Sequence, residues 1–174
     1  MEALVRASAE CGASYEVALV VSTSSLSPAL ERARDLGIPT LTVAYGPDFG
    51  ANLIKSLRSV DAKWLCLAGF MNLVPRSVLD AYPNRILNIH PSLLPKFGGK
   101  GLYGSRVHQA VIEAGETESG CTVHFVSERY DEGEVIVQRK CEVRQDDTVE
   151  SLASRVLALE HQAYAEALNQ VVGQ

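Results

Sequence analysis

No stretch of this 174-residue sequence concentrates Lys and Arg, and the formal net charge is −5. A nucleic-acid binder usually carries a basic face, so no nucleic-acid partner is expected. No apolar run approaches the length of a membrane span, and no charged segment precedes an apolar one at the start, where a secretory signal would stand. Membrane association is therefore not expected, and a cytoplasmic location is. Cysteine is scarce: Cys11, Cys66, Cys121 and Cys141 are the only four, and none form a Cys-x-x-Cys pair. Zinc sites need closer ligand spacing, so no metal is expected. Cys66 and Cys121 sit inside apolar runs and read as buried free thiols in a reducing compartment. Repeats and low-complexity segments are missing as well. A charged fraction of 21% argues against disorder. What remains is a 47% hydrophobic chain, enough for one real core and short for two domains, so residues 1–174 read as a single domain.

The pattern along that chain alternates. Residues 2–11 have Leu4, Val5 and Ala9 at helical spacing, and 17–22 (VALVVS) is a continuous apolar run of the kind that forms a strand buried on both faces. Helix returns over 27–36, entered at Ser27-Pro28 and closed near Gly37. A short strand at 40–43 precedes a helix over 48–59, with Asp48 in N-cap position. Strand 64–69 (WLCLAG), helix 75–82 and strand 86–90 (ILNIH) follow. A Pro- and Gly-rich loop spans 91–104, then a helix 105–114. Strands at 121–126 and 134–143 flank the polar turn SERYDEG. A long helix closes the chain over 147–170, with Thr148 as cap and Leu152, Val156, Leu159 and Ala163 on one face. Such alternation implies an α/β fold: a Rossmann-like, open, twisted and mostly parallel sheet with helices on both faces. Ligands of such sheets bind beyond the carboxyl ends of the strands. That rule singles out GFMNLV after 64–69 and NIHPSLLP at the end of 86–90.

Asn88 and His90 lie two apart on a strand, so their side chains share a face. An amide N–H can bond a developing oxyanion, and an imidazole can donate to it as the cation or shuttle a proton. The plainer alternative is that Asn88 satisfies loop backbone groups and His90 is a structural hydrogen-bonder. Asp131, in YDEGEVIV, reads first as turn chemistry. Were the turn to fold back over the sheet, its carboxylate would orient His90 and favour the imidazolium. His124, alone on a strand, reads as a satisfied core histidine. Residues 99–104 (GKGLYG) fit Gly-x-Gly-x-x-Gly. The dinucleotide fingerprint, however, stands directly after the first strand of a βαβ unit, and here eight residues follow His90 before it begins. It reads as a flexible wall of the site.

LAGFMNLVP, ILNIHPSLLPKFGGKG and VHFVSERYDEGEVIVQ resemble, in order and spacing, the folate-dependent formyltransferase superfamily. The resemblance runs from about residue 2 to 170, and LAGFM with GGKGLYG points to the glycinamide branch. It implies a formyltransferase fold and transfer of a formyl group from 10-formyltetrahydrofolate, used as co-substrate without a metal, to the amine of glycinamide ribonucleotide in purine biosynthesis. By the same resemblance, Asn88 and His90 match the catalytic amide and proton donor, Asp131 the carboxylate that supports the histidine, and His124 a supporting histidine ahead of it. Met71, Asn72, Leu73 and Val74 match the segment holding the pteridine ring, Asn88 counts among the cofactor-binding residues as well, and the loop from Val126 to Asp131 closes over that ring. Glu160, with Met71, matches the neighbourhood of the glycinamide substrate.

Relative to the family, the chain is expected to be N-terminally incomplete: it begins inside the first helix, without the strand and Gly-Ser-Asn-type loop that bind the substrate phosphate. The region 46–51 lacks an arginine that the family often places there. Open strand edges would then favour self-association, as a homodimer. Two alternatives share the same residues: a 10-formyltetrahydrofolate hydrolase, in which water attacks, and a folate-binding form without turnover.

Overall fold

The structure is a computed structural model that describes residues 1–10 and 12–173. Its elements follow the expected alternation: α1 (Glu2–Ser8), β1 (Val20–Ser22), α2 (Pro28–Asp35), β2 (Thr40–Thr42), α3 (Phe49–Ser59), β3 (Leu65–Leu67), α4 (Arg76–Ala81), β4 (Ile86–His90), α5 (Ser105–Glu113), β5 (Glu118–Phe125), β6 (Val135–Glu142) and α6 (Val149–Val172). Boundaries differ where the sequence signal is weak. Helix α1 buries Leu4 and Val5 but stops at Ser8, leaving Ala9 exposed. Cys11, expected at its end, lies outside the described residues. Only the last half of the run 17–22 is strand, and β5 starts at Glu118 rather than 121. That extension is polar and comes from pairing: Glu118 stands opposite Glu142 on β6.

The helix ends are set by local chemistry. Ser27 Oγ accepts from the Ala29 N–H, and Pro28 takes the first helical position. Gly37, at φ 74, lets the Ile38 N–H reach the Ala33 carbonyl and its own N–H the Arg34 carbonyl, a Schellman closure of α2. Thr148 and Ser151 form a reciprocal capping box at the start of α6. Asp48 occupies the N-cap position of α3 without a side-chain bond to the helix.

Strands β1 and β2 pair in parallel, and a second sheet runs β3-β4-β5-β6. Pairing of β3 with β4 is parallel, while β4–β5 and β5–β6 are antiparallel. The parallel alternation thus holds up to β4. The tight 126–134 connection then forces β6 to run back along β5. Among the described residues no ladder joins the two sheets.

Helices cover both faces. On β4, Ile86 turns towards α3 and α4, packing with Phe49, Leu53, Leu57, Val78 and Tyr82. Leu87 turns the other way, with Val123 of β5 and Leu152, Val156, Ala163 and Leu168 of α6. The expected α6 stripe is buried, with Leu159 at its edge. Tyr164 of α6 is buried at 4% exposure, and its hydroxyl lies 2.8 Å from the Leu67 carbonyl and 3.0 Å from that of Leu87. It ties the long helix to the end of β3 and to β4. Among the described residues no helix is long and apolar enough to cross a membrane.

Strand β4 places Asn88 and His90 on the Ile86 face by its two-residue period. The loop after it is fixed by a buried polar cluster. Thr122 Oγ1 donates to the Ser92 carbonyl at 2.6 Å and accepts from the Leu94 N–H at 3.1 Å. Gln138 Nε2 reaches both Thr122 Oγ1 and the Leu94 carbonyl, and Ser92 Oγ donates to the Lys96 carbonyl. Thr122 and Ser92 have no exposed surface. Replacing Thr122 by Val keeps the shape and orphans the Leu94 N–H, so denaturant unfolding should show a loss of about 2 kcal/mol. A loss under about 0.5 kcal/mol would show that the cluster does not hold the loop.

Candidate active site

Asn88 and His124 stand directly opposite each other in the β4–β5 ladder, and His90 stands opposite Thr122. Asn88 Nδ2 lies 3.2 Å from His124 Nε2, and His124 Nδ1 lies 2.8 Å from the Phe125 carbonyl. A carbonyl only accepts, so Nδ1 carries the proton of neutral His124 and Nε2 accepts one N–H of Asn88. The second N–H of that amide remains for a ligand.

His90 is 4% exposed. Its Nε2 lies 2.8 Å from the Phe97 carbonyl, and its Nδ1 lies 3.5 Å from Asp131 Oδ2. Both ring nitrogens therefore face oxygen acceptors, and only the imidazolium can donate to both. Burial works against that cation and holds the His90 pKa below its ordinary value, opposed by the Asp131 charge and the Phe97 carbonyl. The ring is thus neutral at rest, with the partners that stabilise a proton already in place.

Asp131 reaches this position because its backbone turns at φ 56, a left-handed geometry that aspartate tolerates better than most residues. Its Oδ2 accepts the Gly99 N–H at 2.8 Å, and its Oδ1 lies 3.6 Å from His124 Nε2. Burial alone would raise this carboxyl. The His124 and His90 rings, protonated at the acid pH where this group titrates, and the Gly99 N–H outweigh it and hold the group below the usual value, ionised at neutral pH. Gly133 makes the turn possible: a Cβ there would sit 1.6 Å from the Phe125 carbonyl oxygen, the same oxygen that orients His124.

These groups open on a cavity of about 660 Å³. Met71, Asn72, Leu73 and Val74 line it, as do Asn88, His90, His124, Val126, Asp131 and Glu160. Every candidate residue singled out in the sequence is therefore in one place. The 71–74 segment is braced from below. Phe70 stacks on Phe49 at 5.8 Å, and the Tyr45 hydroxyl donates to the Leu73 carbonyl at 3.1 Å. Met71 and Leu73 are left 50% and 41% exposed, much for large apolar side chains. Arg76 at the start of α4 pairs with Glu128 of the β5–β6 turn, an exposed contact of small energetic weight.

Four participants escaped the sequence reading. The Phe97 carbonyl and Gly99 N–H act through backbone, which carries no side-chain signal. Thr122 sits in an apolar run and reads as filler. His108 of α5 is 4% exposed and lines the cavity, but it stands beside Val107 and Val111 and reads as core. Cys66 and Cys121 take no part: burial pushes their thiols up to about 11 and about 12.

The family model for formyl transferase matches residues 1–168, and the chain belongs to that family. Over 162 residues it is 43% identical to the chloroplastic phosphoribosylglycinamide formyltransferase of Arabidopsis thaliana, a match that covers 90% of this chain and 56% of that protein. The crystal structure of phosphoribosylglycinamide formyltransferase from Brucella melitensis aligns with TM-score 0.90 at 36% identity, covering 100% of this chain and 90% of that one. Glycinamide ribonucleotide transformylase 1 of Symbiobacterium toebii aligns with TM-score 0.84 at 41% identity, covering 91% and 74%. The chain spans about half the length of the plant relatives it matches.

Burial also pushes the Glu160 carboxyl from 4.5 up to about 7. Folding therefore favours its protonated form. The contribution to stability is complete below about pH 4.5 and is lost as the pH rises through about 7. Glu160→Gln, neutral throughout, should melt with the wild type at about pH 4 and become the more stable of the two by about pH 8, by on the order of 3 kcal/mol. Melting curves that stay parallel over that range would contradict a buried, titrating Glu160.

Proposed function

We propose that this chain transfers the formyl group of 10-formyltetrahydrofolate to the amine of glycinamide ribonucleotide, a step of purine biosynthesis. One observation carries the reading: an amide, an imidazole and a carboxylate converge beside an exposed apolar wall in one cavity, in a chain of the formyl transferase family. The cavity volume is within the range of small-molecule sites. Met71, Leu73, Val74 and Val126 suit the flat face of a pteridine, and backbone groups of 71–74 suit its polar edge.

In the proposed reaction the amine attacks the formyl carbon and a tetrahedral oxyanion forms. The free N–H of Asn88 donates to that oxygen. His90, neutral through burial, takes a proton from the attacking nitrogen and becomes the imidazolium that Asp131 stabilises. It then returns the proton to N10 of the folate as the bond from the formyl carbon to N10 breaks, so that charge and protons balance. For this exchange Nε2 must leave the Phe97 carbonyl, with the resting proton then on Nδ1 facing Asp131. Phe97 holds φ 55, an unfavourable backbone for a bulky residue, so a shift of its carbonyl relieves local strain while the Thr122–Ser92–Gln138 cluster keeps the start of the loop in place. Free thiols at Cys66, Cys121 and Cys141 support a reducing, cytoplasm-like compartment. Self-association as a homodimer belongs to the same proposal, supported by the lack of a ladder partner on the outer side of β3 among the described residues.

The test is turnover of 10-formyltetrahydrofolate with and without glycinamide ribonucleotide. Loss of the formyl group should require the amine. His90→Ala should lower kcat by roughly 10²–10⁴-fold while folate binding persists. Turnover without the amine would instead make the chain a hydrolase, and an inert wild type that still binds folate would make it a non-catalytic binder. Full activity in His90→Ala would remove His90 from the chemistry.

A further inference from the structure

Charge is segregated around the cavity. The ionised Asp131 lines its interior, as does Glu160 with its pKa raised by burial, while Lys100 and Arg106 of the loop and the start of α5, and Arg129 of the β5–β6 turn, line it with exposed cationic side chains. Arg129 is partly neutralised by Glu132 at 3.2 Å. Among the described residues, Lys100 and Arg106 make no ion pair. The Arg106 guanidinium rests over the Tyr103 ring at 4.9 Å, which pins the side chain and leaves its N–H groups unpaired.

The backbone adds to this. Glycines 99, 101 and 104 hold φ 97, 92 and 53, and this GKGLYG turn delivers Lys100 and the first turn of α5 to the same rim. Helix α5 starts at Gly104 with no side-chain cap and no acidic residue in its first turn, so its positive end is unopposed. An independent sign of a missing partner lies on the same helix. His108 is 4% exposed, lines the cavity, and its Nδ1 has no hydrogen-bond partner. Burial, and secondarily the His90 ring, lower its pKa below the ordinary value.

We propose that Lys100, Arg106, Ser105 and the start of α5 form an oxyanion subsite that holds the carboxylate or phosphate tail of a substrate whose reacting end lies among Asn88, His90 and Asp131. The inference rests on the functional reading above. Both substrates of that reading have the required polarity, a reacting end without negative charge and an anionic far end: glutamate carboxylates on the folate, a phosphate on the ribonucleotide. Charge-assisted bonds from a guanidinium and an ammonium would fix the far end and so place the reacting end.

The experiment compares the wild type with the double variant Lys100→Ala, Arg106→Ala and with Arg106→Glu, by calorimetric titration. The ligands are folate mono- and pentaglutamate, glycinamide ribonucleotide and its dephosphorylated riboside, and pyrophosphate. All substitutions are on exposed side chains, and unchanged melting temperatures will confirm folding. If the tail is glutamate, the pentaglutamate advantage of the wild type disappears in the double variant, with a loss of about tenfold or more in affinity. If it is the phosphate, the ribonucleotide loses about tenfold and the riboside nothing. Either result supports the subsite and names its source, and Arg106→Glu should lose more than the neutral variant. Equal affinities of all three proteins for every ligand would overturn it. A wild type that binds neither substrate defeats the functional reading instead. Pyrophosphate then decides the subsite alone: binding lost in the variants keeps it, and binding absent or unchanged ends it.

Discussion

The Asp131 carboxylate is the contact on which the arrangement of the site depends. It sits in a left-handed turn between β5 and β6, yet it accepts the Gly99 N–H of the loop after β4 and faces both the His90 and His124 rings. One carboxylate thus joins two stretches distant in sequence, 90–99 and 124–131. It also sets the electrostatics. Without it, His90 would be a buried imidazole with only a carbonyl for company, and a proton on it would have nowhere favourable to stay. With it, the ring is neutral at rest but can carry a proton briefly, as a group that relays one must.

The rest of the fold can be read as support for that contact. The two-residue period of β4 sends Asn88 and His90 to one side and Leu87 into the α6 core. The ladder with β5 sets His124 against Asn88, and the His124 bond to the Phe125 carbonyl decides which nitrogen accepts the amide. Gly133 lets the turn approach that same carbonyl, and the Thr122–Ser92–Gln138 cluster stiffens the loop that carries Phe97 and Gly99. Tyr164 fastens α6, with Glu160 one turn away, to β3 and β4. Polar contacts of this kind stabilise little individually, but each is buried, and each missing partner would be expensive.

Much of this was legible in the sequence. Largely apolar runs such as WLCLAG read as strands because a strand covered on both faces has no polar side. Asn88 and His90 could be paired from spacing alone. Ser27, Gly37 and Thr148 announced helix ends through chemistry that acts within four residues. What stayed hidden depends on contacts distant in sequence. Asp131 reads as an ordinary turn residue until the turn is placed over the sheet. The start of β5 at Glu118 is dictated by β6, not by its own residues. The backbone groups of Phe97 and Gly99 have no side-chain signature, and His108 is disguised by its valine neighbours. The break between the β1–β2 pair and the four-stranded sheet was foreshadowed only as open edges.

The central claim is that Asp131 and burial pull the His90 proton in opposite directions, with burial ahead in the free protein. The direct measurement is an NMR titration of the His90 ring in the wild type and in Asp131→Asn, with its signal identified by loss in His90→Ala. The account predicts a wild-type pKa below the ordinary 6.5 and a further drop of about one unit or more in the variant, because the carboxylate that favours the cation is gone. An unchanged or higher pKa in Asp131→Asn would mean that the carboxylate does not act on His90, and the account of the site would fail.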